Sequence, residues 1–195
     1  MVLSLRLVTP PSTEPITLDE AKLQCRVDTS DEDALLAHYI TAARGLVEAE
    51  SGRALLTQTW EMRIDGWYEF GDGIIRLPYA PTQQVEGIVW LDSDGVSHTV
   101  DPNTYLVDTS SLPPRIVPVS SWPTTPEMVS IAGIRITFVA GWEERDKVPA
   151  WAKQAILLLV AHWYENREAV ASVGNPRDLP IAVDRLLAAH RVWWP

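Results

Sequence analysis

Residues 57–67 read TQTWEMRIDGW, and this stretch decides the fold. Trp60, Met62 and Ile64 fall on one side, and Thr59, Glu61 and Arg63 on the other. A period of two is the mark of a strand with one buried face. Upstream the period is different. Leu35, Leu36, Tyr39, Ile40, Ala43, Leu46 and Val47 recur at helical spacing, and Ser51-Gly52 closes that run. Glycine just past a helix accepts the left-handed conformation that a C-terminal cap requires. The chain therefore switches from helix to sheet near Leu55.

Further upstream, Thr17-Leu-Asp-Glu20 has the spacing of a capping box, which predicts a short helix to about Arg26. Ser30-Asp-Glu-Asp33 opens the second helix, with acids at the positive end of its dipole. Residues 1–15 read as an extended arm. Downstream, the runs GIIRLP, VEGIVWLD, VSHTV, TYLVD and GIRITFVAGW are further short strands, and Asp94-Gly95 is a hairpin turn. Residues 110–126 hold Pro113, Pro114, Pro118, Pro123 and Pro126. Proline cannot donate to a ladder, so this segment is expected as a loop around a short edge piece, RIVPV. Helix returns at Val148-Pro149 and is expected to run to about Ala171. SVGNPRDLP breaks it, and Pro180 opens a last short helix.

The expected class is α+β: N- and C-terminal helices forming a helical bundle with a β-rich antiparallel insertion. The expected organisation is one domain over 1–195. Its parts are the arm 1–15, helices in 16–52, the insertion 57–142, a long helix 148–171, and a C-terminal helix and tail 180–195.

Composition bounds the function. Hydrophobic residues make up 46% of 195, enough for a core without staples. Net charge is −10, which argues against a surface built to grip phosphate backbones. Cys25 is the single cysteine, so no internal disulfide is possible, and it reads as a small buried group rather than a nucleophile. Nine tryptophans stand against two phenylalanines; at least half are expected to fill the core, with the others suited to partner surfaces. The opening residues do not read as a signal peptide, and the longest apolar run, Ala155–Ala161, is far short of the ~20 residues of a membrane span. The expectation is a soluble intracellular product that does not engage a membrane.

Chemistry-bearing motifs are weak. His38, His98, His162 and His190 are scattered, with no zincin spacing and no C-x-x-C. His162 and Glu165 share one helix face and read as a structural pair rather than a metal site. Gly71-x-Gly73 lacks the third glycine and the helix of a phosphate cradle, so it reads as a turn. Glu143-Glu144 reads as solvated charge. No catalytic, metal or cofactor site is expected. A small-molecule enzyme would need convergent titratable groups in a pocket.

Several blocks together carry a resemblance. They are ITLDEAKLQCRVDTSDEDALLAHYITAARGLVEAESGRALLTQTWEM at 16–62, RLPYAPTQQVEGIVWLDSDG at 76–95, and ITFVAGW at 136–142. VPAWAKQAILLLVAHWYENREAV at 148–170 and LPIAVDRLLAAHR at 179–191 complete the set. In this order they resemble the tailed-phage head–tail connector family, the adaptor or head-completion proteins of the gp6-like group, also found in gene transfer agents. The resemblance spans Ile16 to Arg191.

The resemblance implies a structural virion protein without catalysis, assembled in the host cytoplasm and placed in the neck of a phage or gene transfer agent particle. It implies a homo-oligomeric ring, typically of twelve copies, docked on the portal protein. The ring would extend the channel for double-stranded DNA without binding it specifically, and would offer a surface to the next neck protein. A stopper or tail terminator is the nearest alternative, and a non-viral binding module the next. In related adaptors the C-terminal segment reaches the portal. Arg185, Leu186, Leu187, Arg191, Val192, Trp193, Trp194 and Pro195 are therefore the expected portal-binding residues. In AILLLVAHWYENRE, 155–168, the residues Ile156, Leu157, Leu159, Val160 and Trp163 are expected to pack on the second helix. The charges Glu165, Arg167 and Glu168 are expected in inter-helix or inter-subunit ion pairs, or at a solvated helix end.

Overall fold

The computed structural model describes residues 4–69, 71–123, 125, 128–167 and 181–193. It is α+β, and it divides into two compact units. One comprises Ser12–Leu56 and Trp142–Arg191, the other Met1–Pro11, Thr57–Gly141 and Val192–Pro195.

The first unit is helical. Helix α1 spans Leu18–Cys25. Its capping box forms as the sequence requires: Glu20 N donates to Thr17 Oγ1 at 3.1 Å and Thr17 N donates to Glu20 Oε2 at 2.6 Å. Helix α2 spans Asp33–Ser51 and ends at Gly52, whose φ of 66° is the left-handed cap expected there. Helix α3 spans Ala150–Glu165, with Pro149 as its N-cap. Helix α4 spans Ile181–Ala188. Helix α3 packs against α1, α2 and α4. The shared core holds Leu36, Ile40, Ala43 and Val47 of α2, Ile156, Leu159 and Val160 of α3, and Val183 and Leu187 of α4. Leu157 and Trp163 pack against it half-buried. Burial of each large aliphatic side chain is worth roughly 1.5–3 kcal/mol, so this core is what holds the short helices in place.

Helix α3 is shorter than its sequence suggests. Asn166 takes φ −119° and its side chain Nδ2 donates to His162 O at 2.8 Å, ending the helix at Glu165. Asn166 N donates to the same carbonyl at 3.0 Å, so the asparagine caps the helix with both its backbone and its side chain. The expected continuation to Ala171 therefore fails at 166–167. Residues 168–180 lie outside the described residues.

The second unit is built of antiparallel strands. Their bounds are β1 Ser4–Thr9, β2 Gln58–Ile64, β3 Ile75–Arg76, β4 Thr82–Leu91, β5 Ser97–Thr99, β6 Tyr105–Asp108, β7 Arg115–Pro118 and β8 Ile134–Ala140. Five form a sheet in the order β1-β2-β8-β4-β5, and three form a smaller one in the order β3-β7-β6. Alternation sets the register. Met62, Ile64, Ile134, Ile136, Phe138 and Ile88 are fully buried, while Arg63, Arg135 and Thr137 lie between them, half-buried. The arm is a paired edge strand from Ser4, with Leu5 opposite Met62 and Leu7 opposite Trp60.

One expectation is corrected here. Strand β7 is central in the small sheet, not an edge piece. Strand β3 pairs only Arg115 and Ile116, so Pro118 and its missing donor fall beyond that ladder. Among the eight described tryptophans Trp142, Trp151 and Trp163 pack half-buried against the helical core, and Trp67 and Trp122 are buried. The last two stack at 4.8 Å, and Trp122 Nε1 donates to Gly73 O at 2.7 Å. Trp67 Nε1 is buried without an acceptor among the described residues, so its burial rests on the stack with Trp122 rather than on a hydrogen bond. Gly71 and Gly73 have φ of 82° and 73°, a turn as read from the sequence.

Candidate functional site

Two places gather the residues singled out by the sequence: the junction between the α3 end and the α2 start, and the segment from α4 to Trp193.

At the junction, Arg167 Nη2 lies 2.6 Å from Glu32 Oε1, and the Tyr164 hydroxyl donates to Glu32 Oε2. The Arg167 guanidinium also sits 4.6 Å from the Tyr164 ring centroid. The Tyr164 hydroxyl and then Arg167 hold the Glu32 carboxyl below its usual range, and the same bond pushes the Tyr164 hydroxyl up. Tyr39 meets Trp163 edge-on at 6.1 Å. Together these contacts clasp the helix ends. Arg167 is exposed and its partners Glu32 and Tyr164 are only half-buried, so the clasp is a modest stabiliser. Glu165 is exposed; it and burial, burial first, push the half-buried Cys25 thiol up. Glu168 lies outside the described residues. His162 Nδ1 faces Asn166 Nδ2 at 3.5 Å rather than Glu165. Among the described residues no group of three or more His, Cys, Asp or Glu is placed to hold a metal ion, and no helix is long and apolar enough to cross a membrane.

At the C-terminal segment, α4 has two faces. Val183 and Leu187 are fully buried in the helical core, while Ile181 and Arg185 are exposed and Leu186 is half-buried. The chain after α4 is fastened at three points. Arg53 Nε donates to His190 O at 3.0 Å, and His190 stacks on Trp151 at 4.5 Å. Arg191 Nε donates to Glu50 O at 2.8 Å, and its Nη2 pairs with Glu50 Oε2 at 2.5 Å. Val192 is half-buried and Trp193 is 75% exposed. Trp194 and Pro195 lie outside the described residues. The structure thus separates the expected portal-binding set. Leu187 anchors α4 inward and Arg191 is committed to Glu50. Arg185 and Trp193 face outward.

Sequence reasoning missed one interior site. Arg44 reaches Glu14 Oε2 at 2.7 Å and Glu48 Oε2 at 3.0 Å, while Leu55 N donates to Glu48 Oε1 at 2.8 Å. The i, i+4 spacing of Arg44 and Glu48 was the available signal, but both fall on the apolar side of α2, where a charge pair is read as misplaced.

Residues 15–89 match the model of the phage gp6-like head-tail connector protein family. No curated protein matches the chain. A solved chain from the neck of an empty gene transfer agent (GTA) particle, computed with C6 symmetry, matches with a TM-score of 0.79 and 25% identity, over 98% of this chain and 97% of that one. A chain from the virion of a native GTA particle matches with a TM-score of 0.77 and 26% identity, over 98% and 96%. A chain from the neck of a native GTA particle, computed with C12 symmetry, matches with a TM-score of 0.75 and 24% identity, over 100% and 97%. The resemblance read from the sequence is upheld: residues 15–89 match the head–tail connector family model, and the chain is similar to chains of gene transfer agent virions and necks.

Proposed function

We propose, from the family that residues 15–89 match, that the chain is a structural protein of the virion or gene transfer agent neck. Copies form a ring, twelve in number, docked on the portal. The ring extends the DNA channel and presents the surface on which the next neck protein assembles. No catalysis is involved. The observation that carries this reading is the likeness, over nearly the whole of both chains, to a chain of a gene transfer agent neck. The C6 and C12 symmetries named for such necks support a ring. A ring closes when two unlike faces of one subunit meet. In this reading the helices form the bundle and the strands its insertion.

Arg185, Leu186, Val192 and Trp193, with Trp194 and Pro195, form the portal contact. An exposed tryptophan is costly alone and is the residue type most often found as a binding hot spot. The test truncates the chain after Arg191, which keeps the Glu50 pair. The expected result is an unchanged melting temperature in the free chain and DNA-filled heads that no longer carry it. Truncated chain that docks on heads as well as the full chain would overturn the portal contact. Full-length chain missing from purified necks would overturn the neck assignment itself.

A further inference from the structure

The β-rich unit holds a cleft of about 240 Å3 whose walls combine an indole with oxygen acceptors. Its lining combines the apolar Trp90, Val100 and Pro123 with the polar Thr99, Asp101, Thr104 and Ser121. The indole is held by a neighbour. His98, opposite Trp90 across the β4–β5 pair, stacks on it at 4.2 Å, and His98 Nε2 is held 2.7 Å from Asp92 Oδ2.

The polar side is acceptor-rich. Asp101 Oδ1 accepts from Asn103 N and Nδ2, both at 2.9 Å, and among the described residues its other oxygen has no partner. The Thr104 hydroxyl donates inward to Asp101 O at 2.7 Å, which leaves its lone pairs for an incoming donor. The surrounding chain is acidic as well. From 77 to 114 the sequence holds Glu86, Asp92, Asp94, Asp101 and Asp108 and no Lys or Arg.

A carboxylate oxygen without a partner, hydroxyl lone pairs and a fixed π system, in a cleft the size of one side chain, share one complement. It is a cation on an apolar stem. We propose that this cleft is a socket for a single basic side chain, arginine or lysine, presented by a partner protein. The stem lies along Val100 and Pro123, and the charged head meets Asp101 and the indole. The socket does not depend on the neck assignment and can be tested on the isolated chain.

The probes are N-acetyl-arginine-N′-methylamide, its lysine counterpart, and the citrulline analogue, which keeps the arginine shape without the charge. Binding is followed by NMR on the 15N-labelled full chain. Arginine and lysine probes are expected to shift the Trp90 indole and the Thr99–Thr104 amides in the millimolar range, and citrulline is not. Asp101→Asn retains the turn-capping oxygen and should weaken binding about threefold or more, and Trp90→Leu should do the same. An unchanged amide spectrum elsewhere certifies the fold of each variant. Equal shifts from citrulline, shifts centred away from Trp90, or no shift at tens of millimolar would each overturn the socket. A full response in Asp101→Asn would overturn the role given to its carboxylate.

Discussion

Glu48 shows what one residue decides in the helical unit. It is buried, and its two oxygens serve Arg44 and the Leu55 amide. The second bond fixes the chain as it leaves α2, just ahead of β2. Removing the carboxylate leaves Arg44 with Glu14 alone and strands a buried amide. Breaking such a pair from one side costs about 3 kcal/mol. Glu48→Ala is expected to lose about that much in urea unfolding, and a loss within error would show that water replaces both bonds. Asp72 makes a different case at the surface. Bonds from Arg76, then the Ile74 amide, hold its carboxyl at about 2. The folded value lies below the unfolded one of about 3.9, so the stabilising contribution is complete above pH ~5 and is lost as pH falls through about 2. Arg76→Gln should return the Asp72 carboxyl toward the ordinary range in a 13C NMR titration; no movement would mean that the backbone amide alone sets it.

At the scale of elements, two glycines separate helix propensity from close packing. Gly45 lies within α2, where an added Cβ meets nothing within 4 Å. Gly45→Ala is expected to stabilise by about 0.5–1 kcal/mol, read from the unfolding midpoint. Gly133 precedes β8, and a Cβ there would fall 2.5 Å from Val129 O and 2.9 Å from Met128 Cγ. Gly133→Ala is expected to destabilise by about 2 kcal/mol, because the turn before the central strand must open. Similar stabilities for the two variants would contradict the packing at one site or the other. The same neighbourhood explains Ala132, which takes a φ of 51° with its amide held by Asp65 Oδ1 at 2.7 Å.

At the scale of the molecule, each unit closes its own core, and the exposed connections are where the chain is open to cleavage. Residues 119–121 follow β7 in a proline-rich segment with no regular structure, and all three are exposed. Limited proteolysis is expected to cut within 110–126 before it cuts inside 35–47 or 155–165, whose amides lie in α2 and α3. Early fragments from either helix would show that the helical core opens more readily than its burial implies. The net charge of −10 acts at this scale too, favouring solubility of the free chain.

The sequence by itself determined the elements whose signals are local. The Thr17–Glu20 box, the α2 stripe closed by Gly52, the alternation from Thr59 to Ile64 and the Asp94-Gly95 turn all stand where their residues put them. Each depends on neighbours within a few positions, which one chain displays in full. The order of those blocks also carried the family resemblance. Tertiary structure alone decided what depends on distant partners. Proline count placed 115–118 at an edge, yet Ile116 is buried between Ile75 and Val107 and makes β7 central. Leu187 and Arg191 look like tail residues in sequence, but the core and Glu50 claim them, which leaves Arg185 and Trp193 outward. The Trp90 cleft gathers residues from three separate segments, none of which carries a motif. Burial and ion pairing are properties of the neighbours a fold supplies, and no spacing along one strand or helix encodes which neighbours those are.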